Sequence, residues 1–549
     1  MKDICILANF VGETEENMEK VALTALRGSL KYGFAYWWAV AFGVLFFVSY
    51  DSFTHDLYYR CDSAWFFMCG KAWMNGLIPY VDFADSKGPL LWLIYGVGYL
   101  IDNDSYIGMF WIETVFYAVT LLYAYKTARI WLSPHKSAIA AALLPIALFC
   151  PVVHTEMRAE DFCHPFQMIA LYYLLECLYN SENFQKRAAF ACGFCVGACM
   201  MIKWNIAAMS IILFVFLLWH CRKRWIAVLQ AIAMFLIGFL VVALPFGVYF
   251  CFIDGLRGIA HEYFIAAYTA NSADGLSNAL CKYFCRELPA VLLFKSPLVS
   301  LFAYATLIGS IIFGLKQKHS RFVPVVICLW YLAIIVRVGN YYYYDAMGNL
   351  AIFLIIFVLN HIKFERYAKQ VAVVTAVCMP FVVALENGEF WRRHFLCNDP
   401  YSQKVYWEIA YKLSVVENPT IMNSFHENGV STPVNGLPAA RYWGYIVGRQ
   451  DTHEPRLQYI KDNIPQFVLI QGYEPNDSFR KVLTDNGYIM SYSAKTPIGT
   501  VGAVNEITQE LYRRSDVPDI EIPKDFKITV WDVLLKRNPI KRYKEAIIQ

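Results

Sequence analysis

A chain of 549 residues that is 58% hydrophobic, 17% aromatic and only 17% charged, with a mean hydropathy of +0.39, is not a single water-soluble core; it is a series of bilayer-spanning helices. The net charge of +4 is too small for a nucleic-acid-binding surface, and the basic residues fall in short clusters between apolar runs. Most of the 16 cysteines lie inside apolar runs such as ACGFCVGAC (191–199), where cysteine acts as a small hydrophobe; Cys281 and Cys285 share one loop, as a disulfide or as a reduced buried pair.

Residues 1–30 carry acids (GETEEN) and no apolar core, so they read as a cytoplasmic lead rather than a cleavable signal. A hydrocarbon layer about 30 Å thick needs about 20 apolar residues per helix, and about eleven runs approach that length. They cover 33–50, 106–125, 137–153, 165–179, 188–202, 204–219, 225–250, 290–314, 322–336, 346–362 and 370–386. Residues 89–101 are too short to cross and are expected to form a juxtamembrane or re-entrant helix.

Basic residues occupy every second connection: Arg27 and Lys31, then Lys126, Arg129 and Lys136, Lys186 and Arg187, Arg222 to Arg224, Lys316 to Arg321, and Lys363 to Lys369. By the positive-inside rule these connections and the N-terminus are cytoplasmic. The first outer loop is then 51–105, followed by outer segments at 154–164, around 203, at 251–289 and at 337–345, and by the tail. The chain divides into a lead (1–30), a membrane domain (31–388) and a C-terminal extracytoplasmic domain (389–549).

The outer segments hold most of the unusual polar residues. DSAWFFMCGKAWMN (62–75) has large apolar groups with Lys71 and Asn75 at helical spacing, the pattern of an interfacial helix lying on the membrane, opened by Asp62. Capping that helix is the plain structural explanation of Asp62. Asp82, Asp85 and Lys87 follow, and HTEMRAEDFCHP (154–165) places Glu156, Glu160 and Asp161 in one short connection. MIKWN supplies Lys203 and Asn205, and VRVGNYYYYDAMG (336–348) supplies Arg337, the tyrosines 341–344 and Asp345. Ionisable groups at helix ends near the apolar phase are costly, so several together imply a lined cavity. His154, His164 and His261 lack the spacing of a zinc site. The tyrosine run is either an interfacial belt or a sugar platform.

In the 251–289 loop an amphipathic helix is expected near 258–268, either a lid or simple packing. After Asn387 the composition turns polar: YSQKVYWEIAYKLSVV (401–416) and SFRKVLTDNG (478–487) read as helices, and TIMNS, QFVLIQG and ITVWDVLL as strands, giving a small α/β layer.

An aspartate opening an amphipathic helix in the first outer loop, then G-x-x-P-Y-x-D (76–82), then D-x-K-G-P-L-L (85–91), resembles the GT-C superfamily of membrane glycosyltransferases. The likeness is to the branch related to protein O-mannosyltransferases and the lipid A aminoarabinose transferase, whose lysine-proline-proline motif falls where Ser86 to Pro89 stand. Glu160 and Asp161 take the place of that family's acidic residue before the fourth span, and Lys203-Trp204-Asn205 resembles its basic-x-Asn motif. The late loop departs from the pattern: tyrosines stand where a histidine of a His-Tyr pair is usual.

The resemblance implies a GT-C fold and transfer of a sugar from a polyprenyl-phosphate carrier to a glycan, lipid or polymer acceptor on the outer face, usually with inversion. Membrane lipids are the surroundings, and no nucleotide or nucleic acid takes part. An acceptor hydroxyl needs a carboxylate to take its proton, the role assigned to Asp62. Charge developing on the leaving phosphate is met by fixed cations, for which Lys87, Lys203 and Arg337 are the candidates. Asp85, Asn205, Tyr343 and Tyr344 are the further substrate contacts. Glu160 and Asp161 orient the acceptor, serve as an alternative base, or join Asp62 around a divalent cation; no resident cofactor is required by the branch it most resembles. A transporter or lipid flippase is the alternative from another class, but the two matching halves with broken helices that such a protein shows are not visible.

Overall fold

The computed structural model describes residues 32–53, 62–149, 158–180, 185–266, 308, 311–312, 349–386, 400–425, 429–446, 449–471, 477–500, 503–529, 531–532, 535 and 537–548. The expected spans at 290–314 and 322–336 lie almost wholly outside these residues, as do Cys281, Cys285, Glu156 and His154.

Helices form where the apolar runs stand: α1 (Phe34–Val48), α2 (Asp62–Met74), α3 (Pro89–Ile101), α4 (Ile107–Ala128), α5 (Pro134–Leu148, with a turn at Leu144), α6 (His164–Asn180), α7 (Gln185–Lys203), α8 (Ala208–Cys221), α9 (Trp225–Phe252), α10 (Ala351–His361) and α11 (Ala368–Glu386). Helix α3 starts with Pro89 at its first turn, where a missing N–H costs nothing, and ends after 13 residues, as its length required. Helix α9 is about 42 Å long at 1.5 Å per residue. Only 17% of its most apolar window is buried, and Trp225, Leu229, Leu236, Leu240 and Leu244 point outward. Such a surface is stable against lipid and not against water, so this is a membrane protein.

Residues 185–221 are apolar enough throughout to be taken for one 37-residue span, but the backbone at Lys203 is extended (φ −152°, ψ 101°) and breaks the helix. A Cβ on Gly193 would lie 1.9 Å from the Phe235 carbonyl oxygen, and one on Gly197 would lie 3.0 Å from that of Phe239, so α7 and α9 pack in parallel with a constant offset. Small residues at this seam let the two backbones touch. Two parallel neighbours need a return crossing between them, and α8 supplies it. Lys203 therefore sits at a tight reversal at one end of the bundle, the end that also carries residues 62–88.

The C-terminal part forms α12 (Pro400–Leu413), β1 (Thr420–Asn423), β2 (Leu437–Pro438), α13 (His453–Lys461), β3 (Phe467–Gln471), α14 (Asp477–Asp485), β4 (Ile489–Thr500), β5 (Ala503–Arg513) and α15 (Pro539–Ile548). The sheet order is β2-β1-β3-β5-β4, parallel across β2, β1 and β3 and antiparallel across β3, β5 and β4. Strand β3 is buried along its whole length, as a near-continuous apolar run predicts for a central strand. Val468 and Ile470 pack with Leu457, Ile460, Phe479 and Leu483 of α13 and α14, while Phe467 and Leu469 join the cluster that holds Trp407 and Ile409 of α12.

Two expectations fail. Residues 62–75 do not lie as an interfacial helix with a wet face: Ser63 through Ala72 are all buried, because α3 covers one side of α2 and the C-terminal layer covers another. Lys71 is fully buried and donates to the Ser431 carbonyl at 3.2 Å, and Trp65 stacks on Trp443 with ring centroids 4.1 Å apart. The described residues of ITVWDVLL (528–535) form no strand. Thr529 and Asp532 exchange reciprocal hydrogen bonds, Thr529 N–H to Asp532 Oδ2 at 2.8 Å and Asp532 N–H to Thr529 Oγ1 at 3.2 Å, which opens a helical turn. T-x-x-D is a capping-box signature, and it overrides the β-branched composition.

Candidate active site

The first element of the site is the loop between α2 and α3. Tyr80 takes φ +65°, and its hydroxyl donates to the Lys87 carbonyl at 2.7 Å; Asp82 accepts from the Ile78 N–H at 2.7 Å and serves the loop rather than any substrate. Gly88 donates its N–H to the Ile202 carbonyl at 2.9 Å, and a Cβ there would lie 2.1 Å from the Met201 oxygen. Glycine is required by this approach of two backbones. The motif loop and the α7 reversal are thereby joined, so Lys87 and Lys203, 116 residues apart in sequence, belong to adjoining segments.

Lys87 Nζ sits 5.4 Å from the centroid of the Phe66 ring and 3.3 Å from Ser86 Oγ, with no carboxylate partner among the described residues. Asp62 is the first residue of α2, half-buried, and one helical turn before Phe66; residues four apart share a helix face, so Asp62 stands on the face over which Lys87 reaches. Asp85 is 5% exposed; it accepts only a long 3.4 Å contact from Ser86 Oγ, and its Oδ2 has no hydrogen-bond partner among the described residues. Burial pushes the Cys69 thiol well up; Asp85 adds to this and Lys87 opposes it, so both charges lie within electrostatic range of the next turn of α2.

The second element is the turn before α6. Glu160 and Lys203, both largely buried, form an ion pair. Asp161 accepts from the Arg158 N–H at 2.9 Å and the Tyr117 hydroxyl at 3.2 Å, with His164 Nε2 at 3.7 Å, so its carboxylate holds this turn together. Phe162 meets Tyr95 edge-on at 5.7 Å, and Tyr95 meets Phe66 at 5.7 Å. That run of rings ties the Glu160 turn to the face bearing Asp62. Asn205 is half-buried in the 3-10 turn Trp204–Ala207.

The structure thus brings Asp62, Asp85, Lys87, Glu160, Asp161, Lys203 and Asn205 to one end of the bundle; Arg337, Tyr343, Tyr344 and Asp345 lie outside the described residues. Among the described residues no three His, Cys, Asp or Glu side chains group closely enough to hold a metal ion. His261 contacts Glu262 at 3.1 Å, and His164 contacts Asn349 at 3.1 Å. Sequence reasoning missed the Asn349 to Gln167 hydrogen bond (2.8 Å) and the buried Glu262, because an isolated amide or acid in a mixed segment carries no pattern.

Residues 86–249 match the family model described as dolichyl-phosphate-mannose-protein mannosyltransferase, a stretch that begins in the motif loop and ends in α9. No curated protein is similar enough to count as a relative. Among solved structures, ArnT from Cupriavidus metallidurans bound to undecaprenyl phosphate superposes with a TM-score of 0.56 at 13% identity, over 88% of this chain and 98% of that one. The same protein in its apo state gives a TM-score of 0.53 at 12% identity, over 83% and 95%. The chain carries the fold of the GT-C superfamily.

Proposed function

We propose that this protein is a glycosyltransferase that takes a sugar from a polyprenyl-phosphate carrier and passes it to a hydroxyl of a glycan, lipid or polymer at the cell surface. The family match from Ser86 to Tyr249 and the lipid carried by the ArnT structure support this reading. The observation that carries it is Lys87, an ammonium without a carboxylate partner among the described residues, held above Phe66 on the face of α2 that Asp62 opens. A cation left unneutralised at a lipid-bordered helix end is matched by an anionic phosphate. Lys203 is charge-compensated by Glu160 and is the weaker phosphate ligand of the two.

In the reaction the acceptor oxygen attacks the anomeric carbon, the bond from that carbon to the phosphate oxygen breaks, and the hydroxyl proton passes to Asp62. The carrier leaves as a phosphate monoester, whose added charge is met by Lys87. Attack from the face opposite the phosphate inverts the anomeric centre. Asp85 takes a sugar or acceptor hydroxyl on its free oxygen, and the Glu160–Lys203 pair fixes the rear wall. With the basic connections inside, this end of the bundle and the C-terminal layer face out of the cell. Arg337, Tyr343 and Tyr344 complete the lipid and sugar contacts.

The test is transfer from labelled polyprenyl-phosphate hexoses and pentoses in membranes containing the full chain. Asp62→Asn lowers kcat by about 10²- to 10⁴-fold with donor binding retained, and Lys87→Ala raises KM for the donor. Normal transfer by Asp62→Asn at normal expression removes the base. Lipid movement across vesicles with no transfer by the natural chain favours the flippase instead.

A further inference from the structure

The loop that presents Asp85 and Lys87 is held by three hydrogen bonds, one within it and two from outside. Tyr80 and the α7 reversal give two of the hydrogen bonds, and the third comes from the C-terminal layer: Ala84 N–H donates to the Arg441 carbonyl at 2.9 Å. Arg441 is itself fixed by its side chain, whose Nη2 donates to Glu262 Oε1 at 2.8 Å. Glu262 is 1% exposed and also accepts from Arg449 Nη1 at 2.8 Å and from the Tyr442 hydroxyl at 2.9 Å. Arg449 in turn grips Asp451 with two bonds of 2.7 Å.

Glu262 belongs to a π-helical turn, Ala260–Ala266, in the segment after α9, a geometry that is rare and concentrates at functional sites. The next residue, Tyr263, donates to the Met200 carbonyl and lies 6.3 Å from the Tyr80 ring, nearly parallel to it. Gly258 abuts Tyr80 closely enough that a Cβ there would be 2.9 Å from the Tyr80 oxygen. One buried carboxylate therefore fastens the C-terminal layer, the segment after α9 and the motif loop together, and the transfer steps proposed above use no group of this cluster.

We propose that Glu262, through Arg441 and Arg449, is a positioning residue that sets the Asp85–Lys87 loop, so that affinity for the carrier phosphate depends on docking of the C-terminal layer. This rests on Lys87 being the phosphate ligand. A buried carboxylate that accepts from Arg441, Arg449, Tyr442 and His261 is a stiff joint, and neutralising it removes the counter-charge of Arg441 and leaves Arg449 to Asp451 alone.

The experiment uses the full chain in nanodiscs, with hydrogen exchange read on peptides covering 80–88 and binding read with undecaprenyl phosphate. Glu262→Gln raises exchange in 80–88 by about tenfold and weakens binding by about tenfold, the loss of about one charge-assisted hydrogen bond. Glu262→Asp restores part of both, and β3 stays protected. Unchanged exchange in 80–88, or a loosened loop with undiminished binding, overturns the proposal. Exchange spreading into β3 also overturns it, since Glu262 is then a residue of general stability; Arg441→Lys, which keeps the charge and loses the fork, repeats the test in a milder variant. Lys87→Ala with full binding instead removes the reading of Lys87, and the exchange data still decide whether the joint sets the loop.

Discussion

Gly88→Ala is the most direct probe of how the site is assembled. The added Cβ falls 2.1 Å from the Met201 oxygen and 2.4 Å from its carbonyl carbon, whereas ordinary contact begins at 3.4 Å. Both clashing atoms are backbone, so no rotamer change relieves them, and the loop and the end of α7 separate by about 1.3 Å. The Gly88 to Ile202 hydrogen bond is lost, at about 1 kcal/mol, and the residual strain adds about 1–3 kcal/mol, together about 2–4 kcal/mol. Lys87 is the adjacent residue and moves with the loop; a 1 Å misplacement near reacting groups costs about 100-fold in rate. Transfer from the polyprenyl-phosphate donor and thermal unfolding, both on the full chain, read the two effects. Gly33→Ala, whose Cβ meets nothing within 4 Å, is the control and behaves as the natural chain. Gly88→Ala with undiminished transfer and an unchanged melting temperature would refute the idea that this backbone contact places Lys87.

Lys203→Met and Glu160→Gln each destabilise the chain, and the double variant recovers part of the loss; a double-mutant cycle on melting free energies gives a coupling of about 2 kcal/mol, since both partners are largely buried. Burial pushes Glu262 up, but the hydrogen bonds and charge of Arg449, with Tyr442 and His261, outweigh it and hold the acid below 4.5. A depressed folded value means stability that is present above 4.5 and is lost as pH falls through the folded pKa. Melting followed between pH 7 and pH 3 therefore shows an acid limb that is shallower in Glu262→Gln, since Asp451, Asp519 and Glu365 are also held below their ordinary values. Trp443→Ala removes the ring stacked on Trp65, at about 3–5 kcal/mol, and frees the C-terminal layer for cleavage by a protease that leaves it intact in the natural chain.

Much of the helical scaffold was legible because lipid imposes length: a run too short to cross, 89–101, forms a short helix, and a reversal was expected at Lys203 from two runs meeting there. The candidate residues stood out in the sequence because polar groups at helix ends are conspicuous against apolar runs, and those among the described residues lie at one end of the bundle. What was not legible is which of them answer each other. Lys203 and Glu160 were assigned separate roles, and the fold pairs them. The polar residues of α2 were read against water, whereas Lys71 meets a carbonyl of a layer more than 350 residues later in the chain. The β4–β5 hairpin escaped notice as well; its edge strand contains Pro497, which an edge tolerates and which breaks the alternating pattern that would have revealed it.

These misses share a cause that also says where the site is vulnerable. Local sequence specifies an element, but the Asp85–Lys87 loop has almost no regular structure of its own and takes its shape from backbone bonds to α7 and to Arg441 and from the Tyr80 hydroxyl inside the loop. Tyr80 belongs to the loop itself, while Ile202 and Arg441 lie in two distant segments, so the loop is set by its own fold together with two packed surfaces. Conservative changes on the outward apolar face of α9 then cost little. Changes at Gly88, Tyr80 or Glu262, none of which is needed for the proposed proton or phosphate chemistry, cost binding or rate. If, instead, activity proved sensitive only to Asp62, Lys87 and their immediate charges and indifferent to these three, the loop would have to be shaped by the bound lipid, and the packing described above would be a consequence of the fold without consequence for transfer.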